Sequence, residues 1–203
     1  MALRPDYCTS AELKSYRRIE AADTEDDSEL GLAITAASRA VDRFCGRPFG
    51  SAAQDRFYTA RWDTGLGRWV VDTDDIASTT GLSITYDSLR DGTYADAITV
   101  YTLAPANAVA DDKPWTRIVV GATDPLGVGA VPDGVQVSAT FGWASVPTTV
   151  KTATLVQASR FLMRRDSPFG MAGEGDFQIR LLDRVDPDVA AMLRTYRKLW
   201  GAA

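Results

Sequence analysis

The chain has 203 residues, 45% of them hydrophobic, enough for one good-sized domain or two small ones with a real core. It carries 22 Lys and Arg, 27 Asp and Glu and no histidine, for a formal charge of −5. Without histidine no Ser-His-Asp or Cys-His arrangement can be built, and an acid or base working near neutral pH would have to be a perturbed carboxylate or lysine.

The charge is uneven: −2 over residues 1–50, −6 over 51–149 and +3 over 150–203. No stretch concentrates the Lys and Arg that a tight grip on nucleic acid requires. No apolar run approaches the roughly 20 residues that span a bilayer. The opening MALRPDYCTSAELKSY lacks the apolar centre of a secretory signal, so no membrane partner is expected and the chain is expected in the cytoplasm where it is made.

TSAELKSYRRI predicts a short first helix, with Ser10 capping the free amides and Leu13, with Tyr16 or Arg17, beginning a face. The acidic DTEDDSEL, Asp23 to Leu30, opens a second helix, because carboxylates suit the positive end of a helix dipole; a calcium site is the sharper alternative. There Leu30, Ile34, Ala37, Val41 and Phe44 form one apolar stripe that Gly46 and Pro48 stop. Cys8 and Cys45 have no metal-binding or redox spacing and read as reduced structural thiols. A hairpin of the first two helices would bring them to the same end, where a disulfide could form.

From about Ser51 to Val146 the pattern changes to RFYTARW, RWVVD, LSITYD, AITVYTLA, WTRIVVG and VQVSATFGW, with DTGLG, RDGT and PDG as turns: an all-β unit of about five to seven strands. TTVKTATLVQASRFLMRR then predicts a third, largely buried helix, and FQIRLL a short extended piece. The last helix is capped by Asp186, takes Pro187 at its first position and favours Asp188 at its dipole. Its stripe is Val189, Met192, Leu193, Tyr196 and Trp200. A β unit that interrupts helices must leave and re-enter at neighbouring points, so the flanking helices should pack together. The fold class is therefore α+β: a bundle of about four helices, residues 1–50 and 147–203, with an antiparallel β-rich domain, residues 51–146, inserted between helices 2 and 3.

RRDSPFGMAGEGDF, Arg164 to Phe177, lies between helical runs. A Walker loop needs GK[ST] where this stretch has Glu174 and Asp176. A dinucleotide loop needs GxGxxG opening a helix, and here the order is GxxGxG after one. A connecting loop is expected, with no nucleotide. DTDD, Asp72 to Asp75, lacks the glycine and glutamate of a calcium loop, where Ala77 and Ser83 stand, and reads as a solvated turn; no metal or other cofactor is expected. Trp62, Trp69, Trp115 and Trp143 lie in the β unit among acidic residues. Sheet packing is the plainer reading of them, and a sugar-binding platform the sharper one. Trp200, beside Arg197 and Lys198, looks like an interface anchor or a residue folded back on the domain.

Four pieces in this order, YCTSAELKSY, SELGLAITAASRAVDRFCGRPF, FGWASVPTTVKTATLVQASRFLMRRDSPFG and LLDRVDPDVAAMLRTYRK, resemble the head-to-tail connector (adaptor, or head-completion) proteins of long-tailed bacteriophages, particularly those of actinobacterial hosts. The resemblance covers Pro5 to Gly50 and Phe141 to Lys198, about half of the chain. It implies a structural virion protein without enzymatic activity, located at the head-tail junction. Copies would form a ring, a dodecamer in the virion, beneath the portal protein. The other side of the ring would receive a head-closure (stopper) or tail-terminator protein, and genomic DNA would pass through its centre without sequence-specific binding. The long β insert departs from the minimal members of that family. On this reading Arg194, Arg197, Lys198 and Trp200 are assigned to portal contact, and Gly170, Gly173 and Gly175 to a loop that settles on assembly. The helices carry more small apolar residues than a thin monomer needs, as two complementary flanks would require. The alternative function is a carbohydrate-binding module using the tryptophans of the β unit.

Overall fold

The computed structural model describes residues 2–121, 131–165, 171–172, 179–180 and 185–198. The chain divides into two compact units, Met1–Leu3 with Gly50–Ser145, and Arg4–Phe49 with Val146–Ala203. Four α-helices and a seven-stranded antiparallel sheet are described, and the strands lie between the second and third helices, so the fold is α+β.

In the helical unit, α1 (Ser10–Arg17) opens on a reciprocal capping box: the Glu12 amide donates to Thr9 Oγ1 at 3.2 Å and the Thr9 amide to Glu12 Oε2 at 2.9 Å. The cap is thus Thr9, not Ser10, because only Thr9 has a glutamate three residues on. α2 (Asp27–Cys45) buries Leu30, Ile34, Ala37 and Val41 and stops at Gly46, whose φ of 67° is left-handed. The carboxylates ahead of it have local duties: Asp27 pairs with Lys14 at 2.5 Å, and Asp23 Oδ1 accepts from the Glu25 amide. α3 is Thr148–Arg165. Leu13, Leu30, Ala33, Ile34, Ala37, Ala158 and Leu162 form the core with Cys8.

α4 (Pro187–Leu193) is capped by Asp186, which accepts from the Asp188 amide at 2.9 Å. It is shorter than the stripe predicted. After Leu193 the chain makes one 3-10 turn, Arg194–Tyr196, and Arg197 turns extended because the Lys198 amide donates to the Cys45 carbonyl at 2.7 Å instead of continuing the helix. Val189 and Leu193 are fully buried; Trp200 lies outside the described residues.

The β unit consists of β1 (Ser51–Tyr58), β2 (Arg61–Asp63), β3 (Arg68–Tyr86), β4 (Asp96–Ala97), β5 (Tyr101–Ala104), β6 (Trp115–Val120) and β7 (Val135–Gly142). The order is β1-β7-β3-β6-β5, with β2 and β4 also pairing with β3. RWVVD and LSITYD are one 19-residue strand, not two, and DTDD is inside it, not in a solvated turn. Register shifts between Asp72 and Ile76 and again before Ser83 bend the strand, so that its first half pairs with β6 and its second with β7. Val71, Ile76, Ile84, Ile118, Val120, Val137 and Phe141 fill the core.

At the end of β7, Gly142 has φ 111°, and a side-chain carbon there would stand 1.8 Å from the Gly50 carbonyl oxygen. Only glycine fits this approach, which the Trp143 amide completes by donating to the same oxygen at 3.0 Å. Beyond α3, Met171–Ala172 (β8) pairs antiparallel with Ile179–Arg180 (β9), so the stretch expected as a plain connecting loop carries a short ladder.

Candidate assembly interface

The clearest chemical feature of the helical unit is a buried network on α2. The Tyr7 amide donates to Ser38 Oγ at 3.1 Å, its hydroxyl donates to Asp42, and the same hydroxyl accepts from the Phe49 amide at 2.8 Å. Arg39 Nε lies 3.2 Å from Asp42, and its other nitrogens donate to the carbonyls of Arg4 and Pro5. Burial pushes the Asp42 carboxyl above the usual carboxylate range, against the Tyr7 hydrogen bond and the Arg39 charge. Burial also raises the Tyr7 hydroxyl, reinforced by Asp42. Edge-to-face contacts from Tyr7 to Phe49 (5.8 Å) and from Phe49 to Tyr196 (5.7 Å) tie the start of the chain, the end of α2 and the last turn together.

The residues assigned to portal contact are built onto this base. Arg197 stacks over Phe44 at 5.3 Å, Lys198 is held through its amide at Cys45, and Arg194 is exposed on the 3-10 turn. Cations here face the negative end of the α2 dipole, with Arg43 and Arg47 on the same end of the helix. The structure thus brings Arg197 and Lys198 to one end of α2. Trp200, Gly170, Gly173 and Gly175 lie outside the described residues.

Both cysteines are buried and free. The hydrogen bond from Tyr7 to Ser38 sets Cys8 beside the middle of α2, about 10 Å along the axis from Cys45 at its end, so the two do not share an end. Burial pushes the Cys8 thiol up to about 11 and the Cys45 thiol up to about 12.

Among the described residues, large apolar side chains are exposed on α1, α2 and α3. On α2, Leu32 is 72% exposed and lies in an apolar groove with Ala33, Ala36, Phe161 and Leu162, rimmed by Glu29. On the side where α1 packs, Tyr16 and Met163 are each 50% exposed. Leu32 falls off the apolar stripe of α2, and Met163 follows the buried Leu162 on α3.

In the β unit the four tryptophans do structural work. Trp143 is buried and its indole donates to Asp75 at 3.1 Å; Trp115 and Trp69 pack on the core. Trp62 meets Trp69 edge to face at 5.5 Å as its cross-strand partner. These rings form no parallel exposed platform. The carboxylates of DTDD are likewise engaged: Asp72 bridges Arg61 (2.8 Å) and Arg117 (2.6 Å), and Asp74 pairs with Arg56 at 2.6 Å. Among the described residues no group of three or more Cys, Asp or Glu is placed to hold a metal ion.

No protein-family model and no curated protein matches the chain. Solved structures do. The fold is similar, over 100% of this chain and 97% of the other, to a chain from the neck of an empty GTA (gene transfer agent) particle computed with C6 symmetry, at 19% identity and a TM-score of 0.55. A chain from the neck of a native GTA particle computed with C12 symmetry matches over the same shares, at 17% identity and a TM-score of 0.50. The likeness spans the helical and the β units alike, so the β insert, foreign to the minimal connector pattern, has a counterpart in the fold of a neck chain.

Proposed function

We propose that the chain is a structural neck protein of a phage-like particle: a head-to-tail adaptor, without enzymatic activity, that forms a ring beneath the portal and joins it to the head-closure or tail proteins. The observation that carries this reading is the full-length likeness in fold to two neck chains, which includes both the helices and the inserted sheet. The sixfold and twelvefold symmetries of those necks agree with a ring of twelve copies. The sequence resemblance adds the actinobacterial type of phage. The acidic middle of the chain and the lack of a concentrated basic face suit a conduit through which DNA slides without being held. Portal contact falls to the cationic end of α2, where Arg197 and Lys198 stand, with Arg194 on the 3-10 turn before them; Trp200 completes the assignment from sequence, as Gly170, Gly173 and Gly175 complete the assembly loop.

The test is to mix the purified protein with the portal ring encoded in the same genome and image the mixture by electron microscopy. A collar of added density on one end of the portal is expected. Portal rings left bare across a range of salt would overturn the reading.

A further inference from the structure

The helical unit holds a cavity of about 690 Å3 where α2, α3 and α4 meet, a size within the range of ligand pockets. Ala40, Arg43 and Phe44 line it from α2, and Gln157 and Phe161 from α3, in each case three or four residues apart and so on one helix face. Val185, just before α4, and Ala190 within it complete the described lining.

Gln157 is only 1% exposed, yet half of its amide is unused. Its Oε1 accepts from the Asp186 amide at 3.1 Å, and because a backbone N–H can only donate, the nitrogen is the atom left over. Among the described residues that Nε2 meets no acceptor. A buried donor without a partner is costly, and here it belongs to a residue that lines a cavity. Arg43, exposed at the same cavity, likewise has no partner among the described residues. Two carboxylates close to them in bonding or sequence are already engaged. Asp186 is paired with Arg160, and Asp42 is held by Tyr7 and Arg39. Phe44, the aromatic wall, carries Arg197 over its ring at 5.3 Å, which adds a second cation beside the cavity.

We infer that this cavity receives a segment of a partner protein that carries a carboxylate beside an aromatic or aliphatic side chain. The apolar side chain packs among Ala40, Phe44, Phe161 and Val185, and the carboxylate answers the Gln157 amide nitrogen and the Arg43 guanidinium. This assignment rests on the adaptor reading, in which the cationic end of α2 meets the portal, and it names the chemistry that the portal segment must bring.

The experiment titrates the full-length protein with N-acetyl-Leu-Phe-Glu-amide and follows the side-chain amide signals of Gln157 by NMR. N-acetyl-Leu-Phe-Gln-amide and inorganic phosphate serve as comparisons. The glutamate peptide is expected to move those signals, and the glutamine peptide to bind about tenfold more weakly. Arg43→Glu, at an exposed position, should keep the thermal midpoint, lose the response to the glutamate peptide and leave portal rings bare under the electron microscope. Equal binding of the two peptides, no response to either, or an equal response to phosphate would overturn the acidic segment. The same signals moving on a rise in protein concentration alone would give the cavity to a second copy and overturn the partner. Collars formed equally by wild type and Arg43→Glu would overturn this cavity as the portal site and leave the adaptor reading standing. Bare portal rings with the wild type, beside a Gln157 response to the glutamate peptide, would overturn the adaptor reading and leave the chemistry of the cavity standing.

Discussion

The sheet and the helices differ in how they partner their charged and apolar residues. In the β unit two carboxylates of the long strand reach the surface and are matched by guanidiniums, Asp72 by Arg61 and Arg117 and Asp74 by Arg56, while the third, Asp75, is buried and takes the Trp143 indole. Its exposed aliphatic residues, Leu66, Leu89, Val100 and Val109, lie singly between strands, where isolated exposure is ordinary. In the helical unit the carboxylate that matters, Asp42, is buried under Tyr7, and the exposed apolar residues lie on helix faces. On the strands themselves Phe57 and Trp62 are half exposed, each set against one ring of its own unit, Tyr94 and Trp69. Among the described residues of the helical unit, the half-exposed or exposed large apolar side chains are Tyr16, Leu32 and Met163, one on each of α1, α2 and α3.

The comparison can be broken most severely at Gly142. Its positive φ and the Gly50 carbonyl leave no place for a side chain, so Gly142→Ala combines backbone strain with overpacking, a loss on the order of 4 kcal/mol. Chemical denaturation should show it as a large fall in midpoint, and an unchanged midpoint would mean that β1 and β7 do not meet as described. The helical unit has its own weak point in the Tyr7 hydroxyl, which serves Asp42 and the Phe49 amide at once. Tyr7→Phe leaves both buried groups without this partner and should cost about 2–3 kcal/mol with the denaturant slope unchanged. A loss below half a kcal/mol would show that the network does not hold the N-terminal segment.

How much of this could be read beforehand differs between the two units for a physical reason. A helix announces itself by local chemistry, and the α2 stripe from Leu30 to Val41, its stop at Gly46 and the Asp186-Pro187 start of α4 are all local. The failures in the helices came where a distant group intervened: Lys198 gives its amide to Cys45, and Tyr7 reaches across to Asp42. In the sheet, DTDD looks like a turn because its carboxylates are polar and consecutive. It stays in a strand because Arg56, Arg61, Arg117 and Trp143, remote in sequence, supply a partner for each carboxylate in turn. The exposed apolar residues were legible only in part. The α2 period places Leu32 off the stripe that holds Leu30, so its exposure was legible; that Phe161 and Leu162 of α3 lie beside it was not.

The smallest effect is the one that sets the units apart most sharply, through the sign of a pH dependence. Burial opposes ionisation of Asp72, but the guanidiniums of Arg61 and Arg117 outweigh it and hold the carboxyl below its ordinary value. Its stabilising contribution is therefore present above the unfolded value near pH 4 and lost as pH falls through the lower folded value. Asp42, raised by burial, behaves in reverse: its contribution is full below that unfolded value and is lost as pH rises through the folded one. Compared with wild type, Asp72→Asn should lose ground as pH rises through the acid range, by no more than about 1 kcal/mol because the bridges are half exposed. Asp42→Asn should gain ground over the range just above it. Urea midpoints of the two variants and the wild type at a series of pH values from 3 to 7 measure both slopes. Slopes of the same sign would mean that one of these carboxylates does not sit in the environment described.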